Sequence, residues 1–178
     1  MVLKFNNSSD FANISFFKRK LLEIIGLILL IISLGIAMSI ITFDMNDPSF
    51  SYLSDSATNN ILGKYGAYTS DLLIKLFGAS SILIFLICFA WGLKLFIDKK
   101  ISFFWLRLIF VPITLLSTST ALNIENIFSL NLESGGIVGK YTFLYITNFL
   151  QNNNFEISQI YISILFFLIA FFSFNFSL

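Results

Sequence analysis

The chain has no histidine, a single cysteine and few charges. Without histidine there is no imidazole metal site, no Ser-His-Asp triad and no imidazole proton switch. The one cysteine, Cys88, cannot close an internal disulfide and stands in no metal-ligand spacing, so it reads as an ordinary thiol inside an apolar run. Asp, Glu, Lys and Arg together make up 12% of the 178 residues, against about 25% in a soluble domain. The net charge of +1 says nothing about a nucleic-acid partner. The short basic runs Lys18-Arg19-Lys20 and Lys99-Lys100 flank apolar segments and read as topological anchors rather than DNA contacts.

What the chain does contain is apolar sequence in long blocks. Hydrophobic residues make up 57% and the mean hydropathy is +0.86. A bilayer core of about 30 Å needs about 20 apolar residues in a helix. Residues 21–43 meet that length with Glu23 as the only charge, and residues 72–97, 103–122 and 157–176 follow. The first run is too long for a cleaved leader, and its small residues Ala37-Met38-Ser39 lie inside it, so it reads as an uncleaved span. The fold class expected is therefore an all-α integral membrane protein with four transmembrane helices. Residues 1–20 form a polar cytoplasmic tail, poorly ordered at its start, and residues 21–178 form the membrane domain. Pro112 is expected to kink the third span.

Charge asymmetry sets the orientation. Lys4, Lys18, Arg19, Lys20, Lys94, Lys99, Lys100 and Arg107 gather on the tail and the second-to-third connection. The other two loops hold Lys64, Lys75 and Lys140 against Asp44, Asp47, Asp55, Asp71, Glu125, Glu133 and Glu156. The positive-inside rule then places both termini in the cytoplasm and the two longer loops outside. Residues 141–150 are apolar but too short to cross, and read as a short interfacial helix in the second outer loop. Gly35 with Ser39, the run Gly78-Ala79-Ser80-Ser81 opening the second span, and residues 117–121 suggest that the spans pack closest near the outer leaflet.

The middle of every span is free of charge, which argues against an ion pump or proton relay. Gly139-Lys140 is no phosphate loop, because Ser134 stands where the first glycine is needed and Tyr141 where Ser or Thr is needed. Two loop segments stand out instead. Asp47-Pro48-Ser49-Phe50-Ser51 carries turn chemistry, and Gly63, Gly66, Gly135, Gly136 and Gly139 mark flexible connections.

Taken in order, Glu23-Ile24-Ile25-Gly26-Leu27, Asp47-Pro48-Ser49-Phe50-Ser51, Asn60-Ile61-Leu62-Gly63, Gly66-Ala67-Tyr68-Thr69-Ser70-Asp71-Leu72-Leu73, Gly78, Leu106-Arg107 and Ser134-Gly135-Gly136-Ile137-Val138-Gly139 make residues 20–178 resemble the amino-terminal four-span domain of FtsK/SpoIIIE-type DNA translocases. The resemblance implies an anchor in the bacterial inner membrane, sited at the division septum, associated with division proteins and assembled as a hexamer. It implies no catalytic, cofactor or metal residue in this chain and no direct contact with nucleic acid. ATP and Mg²⁺ belong to a motor that the sequence as given does not include, so it reads as a truncated or split form. The loop residues Asp47, Pro48, Ser49, Phe50, Gly63, Gly66, Gly135, Gly136 and Gly139 are the candidates for shaping an outer partner face. A small homo-oligomeric pore of the holin type is the alternative, since hydroxyls cluster at the span ends.

Overall fold

The computed structural model describes residues 8–53, 57–123, 134–154 and 158–178. Lys4, Asp55, Glu125, Glu133 and Glu156, which entered the charge argument, lie outside the described residues, as does the expected start of the last span. The elements are all helical: α1 (Ser8–Ile41), α2 (Gly63–Phe77), a 3-10 turn (Gly78–Ser81), α3 (Ile82–Ile97), α4 (Phe104–Ala121), α5 (Gly136–Asn152) and α6 (Gln159–Ser177). Four segments are long and apolar enough to cross a membrane: Phe16–Ile41, Gly63–Ile97, Phe104–Ala121 and Gln159–Ser177. The protein is an all-helical membrane protein of four spans.

Several boundaries differ from the sequence expectation. α1 begins at Ser8 rather than at residue 21, and so continues through the expected tail. Ser8-Ser9-Asp10 supplies residues that favour helix starts, and no Gly or Pro interrupts the chain before Gly26. α1 stops two residues early, at Ile41, where Thr42 turns its hydroxyl back onto the Met38 carbonyl at 2.7 Å. The second segment begins at Gly63 rather than at residue 72, so Gly78-Ala79-Ser80-Ser81 does not open it but forms a 3-10 turn within it. The short helix is longer than residues 141–150, running from Gly136 to Asn152. α4 carries Pro112 in its interior, which leaves the Leu108 carbonyl without its helical donor.

Two antiparallel pairs make up the spans: α1 lies along α3, and α4 lies along α6. The end bearing residues 42–62 is called the loop end, and the end bearing residues 98–103 the turn end. A lipid-facing helix gains nothing hydrophobic from a neighbour, so close backbone approach and interhelical hydrogen bonds must hold the pairs. Both are present. A Cβ added at Gly26 would stand 2.7 Å from the Phe96 nitrogen, and one at Gly92 would stand 2.9 Å from Leu30 Cγ. In the other pair, Thr114 donates to the Ser173 hydroxyl at 3.0 Å, and Phe110 stacks on Phe176 with centroids 5.1 Å apart.

The tightest α1–α3 approach is therefore at Gly26 and Gly92 near the turn end. Gly35, expected at a close contact, is not pressed by a neighbouring backbone: the nearest atom to an added Cβ is Leu62 Cδ1 at 3.9 Å, an ordinary contact. The two pairs meet at the turn end through Trp91, whose indole N–H donates to the Ser177 carbonyl at 2.7 Å, and through Lys94, which donates to the Leu178 carbonyl. They meet again at the loop end, where the hydroxyls of Ser80 and Ser119 bond at 2.6 Å.

Gly92→Leu is expected to force α1 and α3 apart and cost about 1–3 kcal/mol of overpacking, read as a lowered unfolding midpoint in detergent. Gly35→Ala is expected to leave that midpoint unchanged. Equal losses in both would refute Gly92 as the point of closest approach.

Candidate functional site

The loop after α1 is built around two buried polar side chains. Asp47 is 2% exposed. Its two oxygens accept the backbone N–H of Asn59 at 2.7 Å and of Asn60 at 3.0 Å. A carboxylate fixed by two amides closes the loop on itself, and Pro48 beside it is buried with a fixed φ. Asn60 then reaches back to the end of α1. Its Nδ2 donates to the carbonyls of Ser39 at 2.9 Å and Thr42 at 3.1 Å, two of the orphan acceptors that a helix C-terminus leaves. Its Oδ1 accepts the N–H of Leu62 at 3.1 Å, just ahead of α2.

Gly66 is required by that arrangement, since an added Cβ would collide with Asn60 Oδ1. The Ser39 hydroxyl donates to the Gly66 carbonyl at 2.5 Å. Farther along the loop, Ser49 is buried and its N–H bonds the Tyr52 carbonyl at 2.8 Å. Ser51 donates to Asp71 Oδ2 at 2.6 Å, and Lys75 pairs with the other oxygen of Asp71 at 3.3 Å. Phe50 is exposed and sets its ring edge-on to Tyr68, centroids 4.8 Å apart. Gly63 opens α2 with no atom near its Cβ position.

The second glycine group packs against the other pair of helices. Added Cβ atoms at Gly135 and Gly139 would both strike the Ser119 carbonyl. Gly136 has φ +60°, and its Cβ position lies 2.6 Å from the Gly78 nitrogen. Any side chain there is both strained and blocked. Ser134 ties the segment down at both sides. Its hydroxyl donates to the Leu122 carbonyl at 2.6 Å, and its carbonyl accepts the Ala79 N–H at 3.0 Å. The two loop motifs are thus linked through α2, which touches both α1 and α5.

The anchors at the turn end fall into two groups. Lys18, Arg19 and Lys100 are solvent-facing. Lys20 and Lys99 both bind Glu23, at 2.7 Å and 3.0 Å, so Glu23 links α1 to the α3–α4 turn. Arg107 donates from Nε to the Ser102 carbonyl at 2.7 Å. Among the described residues no group of three His, Cys, Asp or Glu side chains gathers as a metal site.

Ser39, Asn60, Asp71 and Ser119 stand in the sequence as packing or motif positions and not among the residues expected to shape the outer face, though each carries contacts at the loop end. Asn60 carried the clearest signal, the last polar residue before an apolar pair and Gly63. The hydroxyls at the span ends bond carbonyls and one another, as Thr120 does with Thr142 at 2.8 Å.

This geometry defines a multi-pass membrane domain with a structured cap at one end. The chain matches the family described as the 4TM region of DNA translocase FtsK/SpoIIIE over residues 18–178, and it belongs to that family. It is 32% identical over 141 residues to the DNA translocase FtsK of Rickettsia prowazekii, covering 79% of this chain and 18% of that protein. The Rickettsia typhi counterpart is 33% identical over 135 residues, covering 76% of this chain and 17% of its own length. That of Agrobacterium fabrum is 36% identical over 89 residues, covering 49% and 10%. The chain thus spans less than a fifth of these relatives. No solved structure matches it. Membership and the four apolar segments make it a multi-pass inner-membrane protein.

Asp47→Ala leaves two buried amides unpaired and is expected to cost about 1–3 kcal/mol. Protease nicking within residues 44–62 should rise, and nicking that stays at the wild-type rate would remove Asp47 as the closing group. A second expectation concerns acid. Asp44 accepts the Asn46 N–H at 2.9 Å and the Asn59 side chain at 2.9 Å, and these bonds, Asn46 first, hold its carboxyl below the ordinary value of 3.8. A depressed folded value means that the loop's stabilisation is complete above the ordinary value and fades as pH falls through the lower one. Nicking should therefore increase in that acid range for wild type, and Asp44→Asn should flatten this dependence.

Proposed function

We propose that the chain is the membrane anchor of an FtsK-type DNA translocase, holding such a motor to the inner membrane at the division septum. The observation that carries this reading is the family match over residues 18–178, which runs through all four spans and both loop motifs. In this reading the turn end, with Lys18, Arg19, Lys20, Lys99, Lys100 and Arg107, faces the cytoplasm. The loop end then faces the opposite compartment, where Phe50 and its neighbours are available to division proteins. The anchor assembles as a homo-oligomer, with six copies matching a hexameric motor. It has no catalysis of its own, holds neither ATP nor metal, and does not touch DNA. The rigid attachment of the Asp47 and Gly136 loops to the helix ends supports a docking role, because a pinned loop binds with less ordering cost than a free one.

A fluorescent fusion of the chain is expected to concentrate in a band at midcell in dividing bacteria. Gly136→Val should cost more than about 1–3 kcal/mol through its left-handed backbone and abolish the band along with the folded protein. Phe50→Ala should leave expression normal and weaken the band if the loop binds a partner. Even staining around the cell by the unaltered fusion would refute septal anchoring.

A further inference from the structure

The Gly63–Ile97 segment is too long to be one span. Its 35 residues would reach about 52 Å as a straight helix, against a hydrocarbon core of about 30 Å. The excess lies on one side of a sharp break. Gly78 has φ 60° and ψ −139°, which ends α2 and starts the 3-10 turn. From Gly78 the turn contributes 4 residues and α3 contributes 16, enough to cross the core without α2.

α2 does not run alongside α1. The Gly66 carbonyl takes the Ser39 hydroxyl, while Ile74 lines a groove of about 280 Å³ with Ile40, Ile41 and Gly78. Gly66 and Ile74 are about 12 Å apart along the α2 axis, whereas residues 39–41 advance only about 3 Å along α1. α2 therefore lies across the end of α1, burying Gly66, Ala67, Ser70, Asp71 and Ile74 as one stripe. The stripe facing away contains Tyr65 and Leu72, with Thr69 between them and Lys64 and Lys75 on one flank.

That outward stripe joins a larger pattern. All six tyrosines of the chain, at 52, 65, 68, 141, 145 and 161, belong to the loop after α1, to α2, to α5 or to the first turn of α6. Four are strongly exposed: Tyr65 at 89%, Tyr145 at 74%, Tyr141 at 69% and Tyr161 at 68%. Both tryptophans, 91 and 105, lie toward the turn end. Tyrosine collects at membrane–water interfaces because its ring is apolar and its hydroxyl needs water. Lysines on the flank of an apolar stripe suit the same depth, with stems in the lipid and ammonium groups at the headgroups. The only carboxylate on α2, Asp71, is turned inward onto Ser51 and Lys75.

We propose that α2 is an interfacial helix rather than part of a span. It lies flat in the headgroup zone at the loop end, its outward stripe of Tyr65 and Leu72 seated on lipid and its inward stripe on α1. The exposed Ile61 and Leu62 extend the same lipid-facing band from the exposed end of α1 at Ile41. The tyrosine collar marks the level at which the bilayer stops.

The chain reconstituted in phosphatidylethanolamine–phosphatidylglycerol vesicles tests this. An environment-sensitive dye is placed at Tyr65→Cys or Leu72→Cys with Cys88→Ser, and quenched by nitroxide lipids or by aqueous iodide. An interfacial helix sits about 5–10 Å into the headgroup–acyl boundary, so shallow nitroxides should quench at least about twofold more than deep ones, and iodide weakly. Stronger quenching by deep nitroxides would make α2 a span. Free access to iodide would put the stripe in water, and shielding from both quenchers would mean that a protein covers it; each result overturns the proposal. A second set keeps Cys88 and carries a benzophenone at position 65 or 72. Adducts with lipid are expected, and adducts with polypeptide alone overturn the placement.

Discussion

The side chain of Asn60 reaches three backbone groups at once, and the loop end depends on it. Two are carbonyls that α1 cannot satisfy itself, and the third is the amide leading into α2. Near a bilayer such groups have little water to turn to, and each one left unpaired costs several kcal/mol. A single amide side chain therefore ends one helix and begins the next. Asp47 in turn fixes the Asn60 backbone, and Gly66 leaves room for its head. Removing any of the three would loosen the other two, so the loop behaves as one unit with α1 and α2.

Within the spans the same problem is solved differently. Contact is made by glycines where helices touch backbone to backbone, as at Gly26 and Gly92, and by hydroxyls that bond a carbonyl or another hydroxyl. Each interhelical hydrogen bond of this kind contributes modestly, about 0.6 kcal/mol on average. The two pairs α1–α3 and α4–α6 are thus individually well packed, while their mutual contacts concentrate at the two ends. Gly78 and Gly136, set against each other, form the junction at the loop end.

The existence of four spans was legible because apolar length is a strong signal and nothing else in the chain competes with it. The start of α2 was not. Residues 63–71 contain Lys64, Thr69, Ser70 and Asp71, so their hydropathy reads as loop; only the burial of Gly66, Ala67, Ser70, Asp71 and Ile74 along one stripe reveals a helix. The contact glycines were partly misread for a related reason. Gly35 and Ser39 have the spacing of a packing motif, but spacing does not say which neighbour each meets: Ser39 bonds the Gly66 carbonyl of α2, while the close α1–α3 approach falls at Gly26 and Gly92. The turn at Asp47 was recognisable, whereas Gly63, Gly66, Gly136 and Gly139, expected as flexible connections, lie within α2 and α5, where Gly66, Gly136 and Gly139 are small because neighbours press against them. Their long-range partners, Asn60 and Ser119, were invisible to local turn chemistry, because those contacts depend on how distant helices are brought together.

The described charges of the α1, α3 and α4 spans, Lys18, Arg19, Lys20, Glu23, Lys94 and Arg107, lie toward the turn end, and the described residues of these spans between the two ends carry no charge. A transmembrane voltage acts on a protein through charges that shift across the field, about 2.3 kcal/mol per charge per 100 mV. With no charge placed to move, the packing of these helices has no electrical handle. A change in membrane voltage therefore has little to pull on within the described spans, and an attachment made through them is held by packing rather than by the field.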